Sequence, residues 1–421
     1  MNYLRIFLGC CCWLGALTAA QAQGKLSGVV QDSVTHEPLA FASVFLANTT
    51  LGVTTTEQGK FEFPKVPAGT YDVVGSYVGY RLAKQTITVG PAAQQVTLQL
   101  APTGNQLGEV VVQPAPNKPE EYQKFSKLFV GQSTFSAQCH ISNPEQVRVL
   151  YDDSTKQLTA QAKEYVQIDN DALGYRLKYY GLQFVYDDED RSIAYYGQPV
   201  FEEMTPRDDR QRKQWATNRA IAYTGSFMHF LRSVYQNRLK ADNFLAQQVL
   251  VVPNPRYERA EAQRTALLAR RPDGAFTDAE QDSLAKWDAI APALASLYPE
   301  PRPIDSLRRV SADGRHTYLR FTGELQVTHF GEAPDPAYNR RMASLGPSRT
   351  PYPAKRQVSR LKLQGREAEI QANGSLVNPL EAYNGDYWGF EKIGEFLPVD
   401  YVPPTATASA TPTRSTTPTH R

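Results

Sequence analysis

From Lys25 to Leu100 the chain runs in short alternating or β-branched apolar stretches broken by turn residues about every ten positions, the pattern of a small antiparallel sandwich. The alternation predicts strands near 26–30, 42–46, 52–55, 60–63, 70–77, 81–89 and 96–100. Gly59, Gly69 and Gly79 fall at turns that call for positive φ. Pro102, Pro114, Pro116 and Pro119 then mark a linker over 102–119, which holds one last edge strand in its Val110-Val111-Val112 run.

A second pattern starts at about residue 120. Tyr122, Phe125, Leu128 and Phe129 share one helical face, and strands are predicted at 147–151, 158–162, 165–169, 175–186 and 193–200. A helix from about Asp208 carries Trp215 and Tyr223. Gly225 breaks it, and Phe227, Phe230, Leu231, Val234 and Tyr235 resume helical spacing, so two helices are expected to cover one face of the sheet. Residues 257–303 read as a polar helical insertion, with Thr277-Asp278-Ala279-Glu280 at capping-box spacing. Strands return at 307–310, 317–321, 325–330, 358–363 and 368–371, and Asn373-Gly374 signals a hairpin. Residues 331–353 form a Pro-rich loop, and 402–421 form a Pro/Thr/Ser tail too poor in apolar groups to fold. The expected fold class is mainly β or α+β: a sandwich over 24–101, then a larger antiparallel α+β domain over 120–401.

Composition changes this picture little. A chain of 421 residues exceeds the roughly 250 that one core serves. Its 45 basic and 43 acidic residues leave no positive excess for a phosphate backbone, so nucleic acid is not an expected partner. The first residues matter more. Arg5, the apolar run 6–19 and Ala20-Gln21-Ala22 predict a cleaved secretory signal over 1–22, and the run is shorter than the roughly 20 residues of a spanning helix. Cys10, Cys11 and Cys12 suggest a lipid anchor, but too few apolar residues precede Cys10 for a signal core. Once the signal is removed Cys139 is the only thiol, so no intramolecular disulfide forms and packing alone must stabilise the exported protein. No transmembrane segment is expected in the mature chain.

The sandwich also carries a family resemblance. Gly28-Val29-Val30-Gln31-Asp32, Glu37-Pro38-Leu39-Ala40-Phe41-Ala42-Ser43-Val44, Gly52-Val53-Thr54-Thr55-Thr56, Gly59-Lys60-Phe61 and Val78-Gly79-Tyr80 together resemble the carboxypeptidase regulatory-like domain, which has a transthyretin-like (prealbumin-like) β-sandwich. One departure is Thr56-Glu57-Gln58-Gly59, where such domains often place Asp soon after the hairpin Thr. The resemblance implies an accessory domain, with any zinc chemistry of a peptidase in a separate doubly wound α/β domain whose pattern this sequence lacks. The domain also often precedes outer-membrane TonB-dependent receptors, and Leu107-Gly108-Glu109-Val110-Val111-Val112 looks like the segment leading into a receptor plug. A barrel of about 22 strands needs several hundred further residues, and its repeated amphipathic strands are missing. Residues 218–226 and 387–392 look like the region following this sandwich in uncharacterised bacterial envelope proteins, which implies no activity.

Candidate chemistry is sparse. His329-Phe330-Gly331-Glu332 has the H-x-x-E spacing of funnel-type zinc carboxypeptidases, but the only later His is His420, in the tail, and catalytic zinc takes three protein ligands on a rigid frame. Cys139-His140 pairs a thiol with a base, but neighbours on a strand point to opposite faces, which predicts a buried, inert thiol. His229 reads as a packing histidine and His36 as a solvated turn residue. Asp187-Asp188-Glu189-Asp190 lacks the alternating spacing and Gly of a calcium loop and reads as a hairpin turn. Residues 207–213 read as a solvated helix start. Tyr383, Tyr387, Trp388 and Phe390 offer a glycan or protein contact if exposed, and a core cap otherwise.

No catalytic, cofactor or metal residue is therefore assigned, and no cofactor. The expected function is a non-enzymatic binding or structural module of the periplasm, outer membrane or cell surface, whose partner is an envelope protein or glycan. The alternative is a metal-dependent peptidase or other envelope hydrolase built on His329 and Glu332.

Overall fold

The computed structural model describes residues 23–103, 117–272, 274–344 and 355–404. The predicted signal, Cys10 to Cys12, the Val110–Val112 strand and most of the predicted tail lie outside them. The described residues fall into two compact units. One holds the chain to Leu128 with Cys139–Gln211 and Pro398–Val402; the other holds Phe129–Gln138 and Arg212–Leu397.

The first unit opens with seven strands: β1 (Gln23–Asp32), β2 (Ser43–Leu46), β3 (Gly52–Thr54), β4 (Lys60–Pro67), β5 (Gly69–Ser76), β6 (Ala83–Val89) and β7 (Gln94–Leu100). They form sheets in the orders β4-β1-β7 and β3-β2-β5-β6. Only the β1–β7 pair is parallel. Leu26, Val30, Val44, Leu46, Phe61, Phe63, Val73 and Leu98 fill the space between the sheets. Every strand read from the alternation is present, because a half-buried strand must place its apolar side chains every second residue. Gly59 and Gly79 take positive φ. Gly69 does not. It opens β5, where the Tyr71 ring lies 3.3 Å from the place a Cβ would occupy.

Helix α1 (Pro119–Phe129) follows, and then β8 (Cys139–Ile141), β9 (Val147–Asp152), β10 (Gln157–Ala162), β11 (Tyr165–Asn170), β12 (Tyr175–Asp187) and β13 (Ile193–Glu203). All six share one antiparallel sheet. β12 organises it: its first half pairs with β11, its second half with β10, and its other edge with β13. The buried positions change phase along β12, from Tyr175, Leu177 and Tyr179 to Tyr180, Leu182 and Phe184. A register shift between Tyr180 and Gln183 produces this change, and Gly181 at φ +61° supplies the kink. Phe125 of α1 meets Phe184 edge to face, with ring centroids 5.1 Å apart.

The sandwich is joined to this second sheet through its outer face. Val44 and Leu46 point into the sandwich core, so Phe45 and Ala47 point away from it. With Val74 they pack on Tyr180 and Val200. Phe45 stacks on Tyr180 with centroids 4.8 Å apart. The β2–β3 turn adds backbone bonds: Asn48 N–H donates to Pro199 O (2.6 Å), Phe201 N–H to Thr49 O (2.9 Å) and Val399 N–H to Asn48 O (2.8 Å). Asp400 accepts from Thr50 N–H at 3.0 Å.

The second unit takes most of α2 (Asp209–Tyr223), then α3 (Phe227–Tyr235), β14 (Phe244–Pro253), α4 (Pro255–Arg270), α5 (Asp278–Asp288), β15 (Ala293–Pro301) and α6 (Ile304–Leu307). It continues with β16 (Arg308–Val310), β17 (Thr317–Arg320), β18 (Glu324–His329), α7 (Pro336–Ser344), β19 (Gln357–Leu363), β20 (Glu367–Ile370), β21 (Ala382–Gly385) and α8 (Asp386–Phe390). The sheets are β15-β14-β18-β19-β21 and β16-β17-β20. Their core includes Phe230, Leu231 and Val234 of α3 against Leu319, Leu325, Val327, Leu361 and Trp388.

Several expectations change here. α3 covers the sheet of later strands in its own unit. The segment read as a helical insertion over 257–303 is helical only in α4 and α5, and it ends in β15, which pairs back onto β14. Neither β14 nor β15 alternates, so periodicity hid both strands. Part of the predicted loop 331–353 is α7, which starts at an Asp-Pro pair: Asp335 accepts from Ala337 N–H at 2.6 Å and Pro336 takes the first helical position.

Candidate functional site

In the second unit a group of ionisable side chains surrounds two histidines. Ser226 caps α3 by accepting from His229 N–H, which sets His229 in the first turn. His329 ends β18, directly opposite Phe244 on one side and Gln357 on the other. The imidazole centroids lie 5.9 Å apart, and each ring packs on Phe244, at 5.0 Å for His229 and 4.7 Å for His329. Tyr223 closes on His229 at 4.7 Å, and Arg232 lies over the Tyr223 ring.

The hydrogen bonds decide what this group can do. Gly225 N–H donates to His229 Nδ1 at 3.1 Å, so in the neutral ring Nε2 carries the proton and faces Asp242 Oδ2 at 3.9 Å. The Ser233 hydroxyl lies 2.7 Å from Asp242 Oδ2 and 2.9 Å from His229 O, and Arg238 donates to Asp242 Oδ1 at 3.2 Å. Serine, histidine and aspartate are thus close together, but the hydroxyl bonds to the carboxylate and the backbone rather than to an imidazole nitrogen. A nucleophile needs the reverse arrangement, with its proton directed at the base. Burial pushes both histidines down to about 4, and the proximity of His329 adds to the shift of His229. Both rings are neutral packing groups at pH 7.

Gly225 holds the group together. At φ +80° its N–H serves His229 and its carbonyl accepts from Trp388 Nε1 at 2.8 Å. A Cβ there would collide with Gln357 Oε1 and come within 2.8 Å of His329 Nδ1, and neither of these two buried acceptors has a hydrogen-bond donor. Gly225→Ala is therefore expected to cost about 3 kcal/mol, from backbone strain plus overpacking. An unchanged urea midpoint would show that the loop yields freely.

The other candidates are placed as follows. Glu332, the second residue of the H-x-x-E spacing, is buried in the loop after β18. No group of three or more His, Cys, Asp or Glu able to hold a metal occurs among the described residues. Cys139 is half-buried on β8 rather than fully buried, and its neighbour His140 lies 3.7 Å from Asp169. Asp169 is held below the usual carboxylate range by Arg176 and Ser142, which outweigh its burial. Asp187 and Asp188 do not converge on one point: Asp187 accepts from Gln157, and Asp188 is paired with Lys124. His36 is exposed at φ +59°. Tyr387, Trp388 and Phe390 are core residues, whereas Tyr383 is 55% exposed.

Residues 26–112 match the model of the CarboxypepD_reg-like domain. The match begins in β1, takes in all seven strands of the sandwich and extends through the Val110–Val112 run. The CarboxypepD_reg-like domain is thus the sandwich that carries Phe45. No curated protein matches the chain. Among solved structures, a shaft pilin of Lactobacillus rhamnosus GG is 17% identical over 20% of this chain and 47% of its own, with a TM-score of 0.17. The major pilin subunit of Bacillus cereus is 15% identical over 44% and 70%, with a TM-score of 0.16. A chain of a type II cohesin–X-dockerin complex from Acetivibrio cellulolyticus is 21% identical over 26% and 76%, with a TM-score of 0.17. The aligned part spans about half the length of the shaft pilin.

Sequence reasoning missed the joint between the CarboxypepD_reg-like domain and the second sheet. A signal was present: in Val44-Phe45-Leu46-Ala47 and in Val73-Val74 adjacent strand residues are all apolar, so both faces of the sheet are buried.

Proposed function

We propose that this protein is an exported, non-catalytic binding module of the bacterial cell envelope. In this reading the CarboxypepD_reg-like domain and the β8–β13 sheet form one rigid body that presents a surface to another envelope component, protein or glycan. The location is the periplasm, the outer membrane or the cell surface. The predicted signal supports export. Among the described residues no helix is long and apolar enough to cross a membrane. The observation that supports the reading is the use of Ser233, His229 and Asp242: their polar atoms bond to one another and to the backbone of α3 and its flanking turn, and the hydroxyl is not paired with an imidazole nitrogen.

Affinity capture from envelope extracts with the full mature chain tests it, with recurrent recovery of one component as the expected result. The rival hydrolase on His329 and Glu332 is tested by metal analysis. Substoichiometric zinc that does not change in His329→Ala is expected; one zinc per chain that is lost in that variant, with turnover of a peptide or glycan, refutes the binding-module reading.

A further inference from the structure

β14 and β15 continue as a bare two-stranded ribbon beyond the body of their sheet. β18 pairs with β14 only as far as Val249, whereas β15 pairs with β14 out to Pro253. Among the described residues β15 is the last strand of its sheet, and nearly all of it is exposed. Leu250, Val251, Val252, Leu294, Leu297 and Tyr298 are each 39–49% exposed. The register puts Val251 across from Ala295 on one face, and Val252 across from Leu294 on the other. Both faces of the ribbon are therefore apolar, and among the described residues no strand pairs with the outer edge of β15 or with β14 beyond Val249 other than β15 itself.

Soluble proteins blunt such edges with lysine, proline or a covering segment, and a two-stranded ribbon alone is marginal in water. Here no charged side chain occurs from Ala289 to Pro299 or from Phe244 to Asn254, although α4 and α5, which the ribbon carries, are rich in charge. We propose that the ribbon is a homodimer interface, in which β15 pairs antiparallel with β15 of a second copy across a two-fold axis. Such an axis sets the residue beside it against its own copy, so a charge there would face itself, and the uncharged run of β15 avoids that repulsion. Pro299 and Pro301 end the pairing. Over the two faces together the six side chains expose roughly 500 Å², most of it apolar. The paired backbone and the flanks of the strands bring this toward the roughly 800 Å² per partner of a stable interface.

Sedimentation velocity on the full mature chain tests the proposal. A dimer is expected well below about 100 μM, because interfaces of this size bind at micromolar or tighter. Ser296→Lys, placed mid-strand, is expected to raise the dissociation constant at least tenfold with an unchanged circular dichroism spectrum, whereas Glu300→Lys beyond Pro299 leaves it within twofold. If Ser296→Lys misfolds, hydrogen exchange on the unmodified protein decides the matter: amides of 293–298 must become protected as concentration rises. A monomer at about 100 μM overturns the proposal. So does a dimer without that protection, or a monomer that binds vesicles of phosphatidylethanolamine and phosphatidylglycerol through the ribbon.

Discussion

Acidification from pH 7 to pH 4 is expected to remove on the order of 6 kcal/mol of stability from the second unit, about 3 kcal/mol for each of His229 and His329. Both rings titrate at about 4 in the folded protein against an ordinary 6.5, with burial as the main cause. The unfolded chain therefore takes up protons below about 6.5, while the folded chain refuses them until about 4. Stability is complete above 6.5, falls between 6.5 and 4, and is flat in these two groups below 4. Charged and titratable neighbours do not rescue the rings: Asp242 faces His229 at 3.9 Å but is shared with Arg238 and Ser233, and Arg232 and Arg238 oppose a positive imidazole. Carboxylates such as Asp169 and Asp188 are held below their ordinary 3.8, so their contribution is lost only at lower pH and does not overlap this window. Urea titrations at several pH values check the claim. A His229→Gln, His329→Gln double variant should show a much flatter profile between 6.5 and 4, and a profile parallel to that of the unmodified protein refutes it.

Phe45→Ala is expected to destabilise the first unit by about 4 kcal/mol, the cost of deleting a fully buried phenyl ring. Phe45 is 2% exposed, although it points away from the core of its own sandwich. Its burial comes from Tyr180, Val200 and Val74, so a loss of this size measures how firmly the CarboxypepD_reg-like domain is held. A double-mutant cycle with Tyr180→Ala should give a coupling of about 1 kcal/mol from the stacked rings. A loss under about 1 kcal/mol in Phe45→Ala would mean that the domain moves as a separate body, and the rigid presentation in the proposed function would fail with it.

Most strands of the sandwich and of β9 to β13 were legible because they bury one face, which forces a two-residue period onto the sequence, whereas β2 and β5, buried on both faces, show as short apolar runs between turns. The two helices around Gly225 were legible because a left-handed glycine interrupts a 3.6-residue period. β14 and β15 were not, since their apolar residues do not alternate: both faces of the ribbon carry them, and a run such as Leu250-Val251-Val252 has no period to read.

The His229–His329 group shows the other limit. Gly225, His229, Ser233 and Asp242 follow one another closely along the chain, but His329 comes from a strand far away in sequence, and no motif spacing announces that it joins them. Local sequence determined which segments became strands and helices, because burial on one face imposes its period on neighbouring residues. Only the tertiary structure decided that Phe45 is interior and that two imidazoles are buried together as neutral rings. Each of these depends on groups that long-range packing brings within a few ångströms.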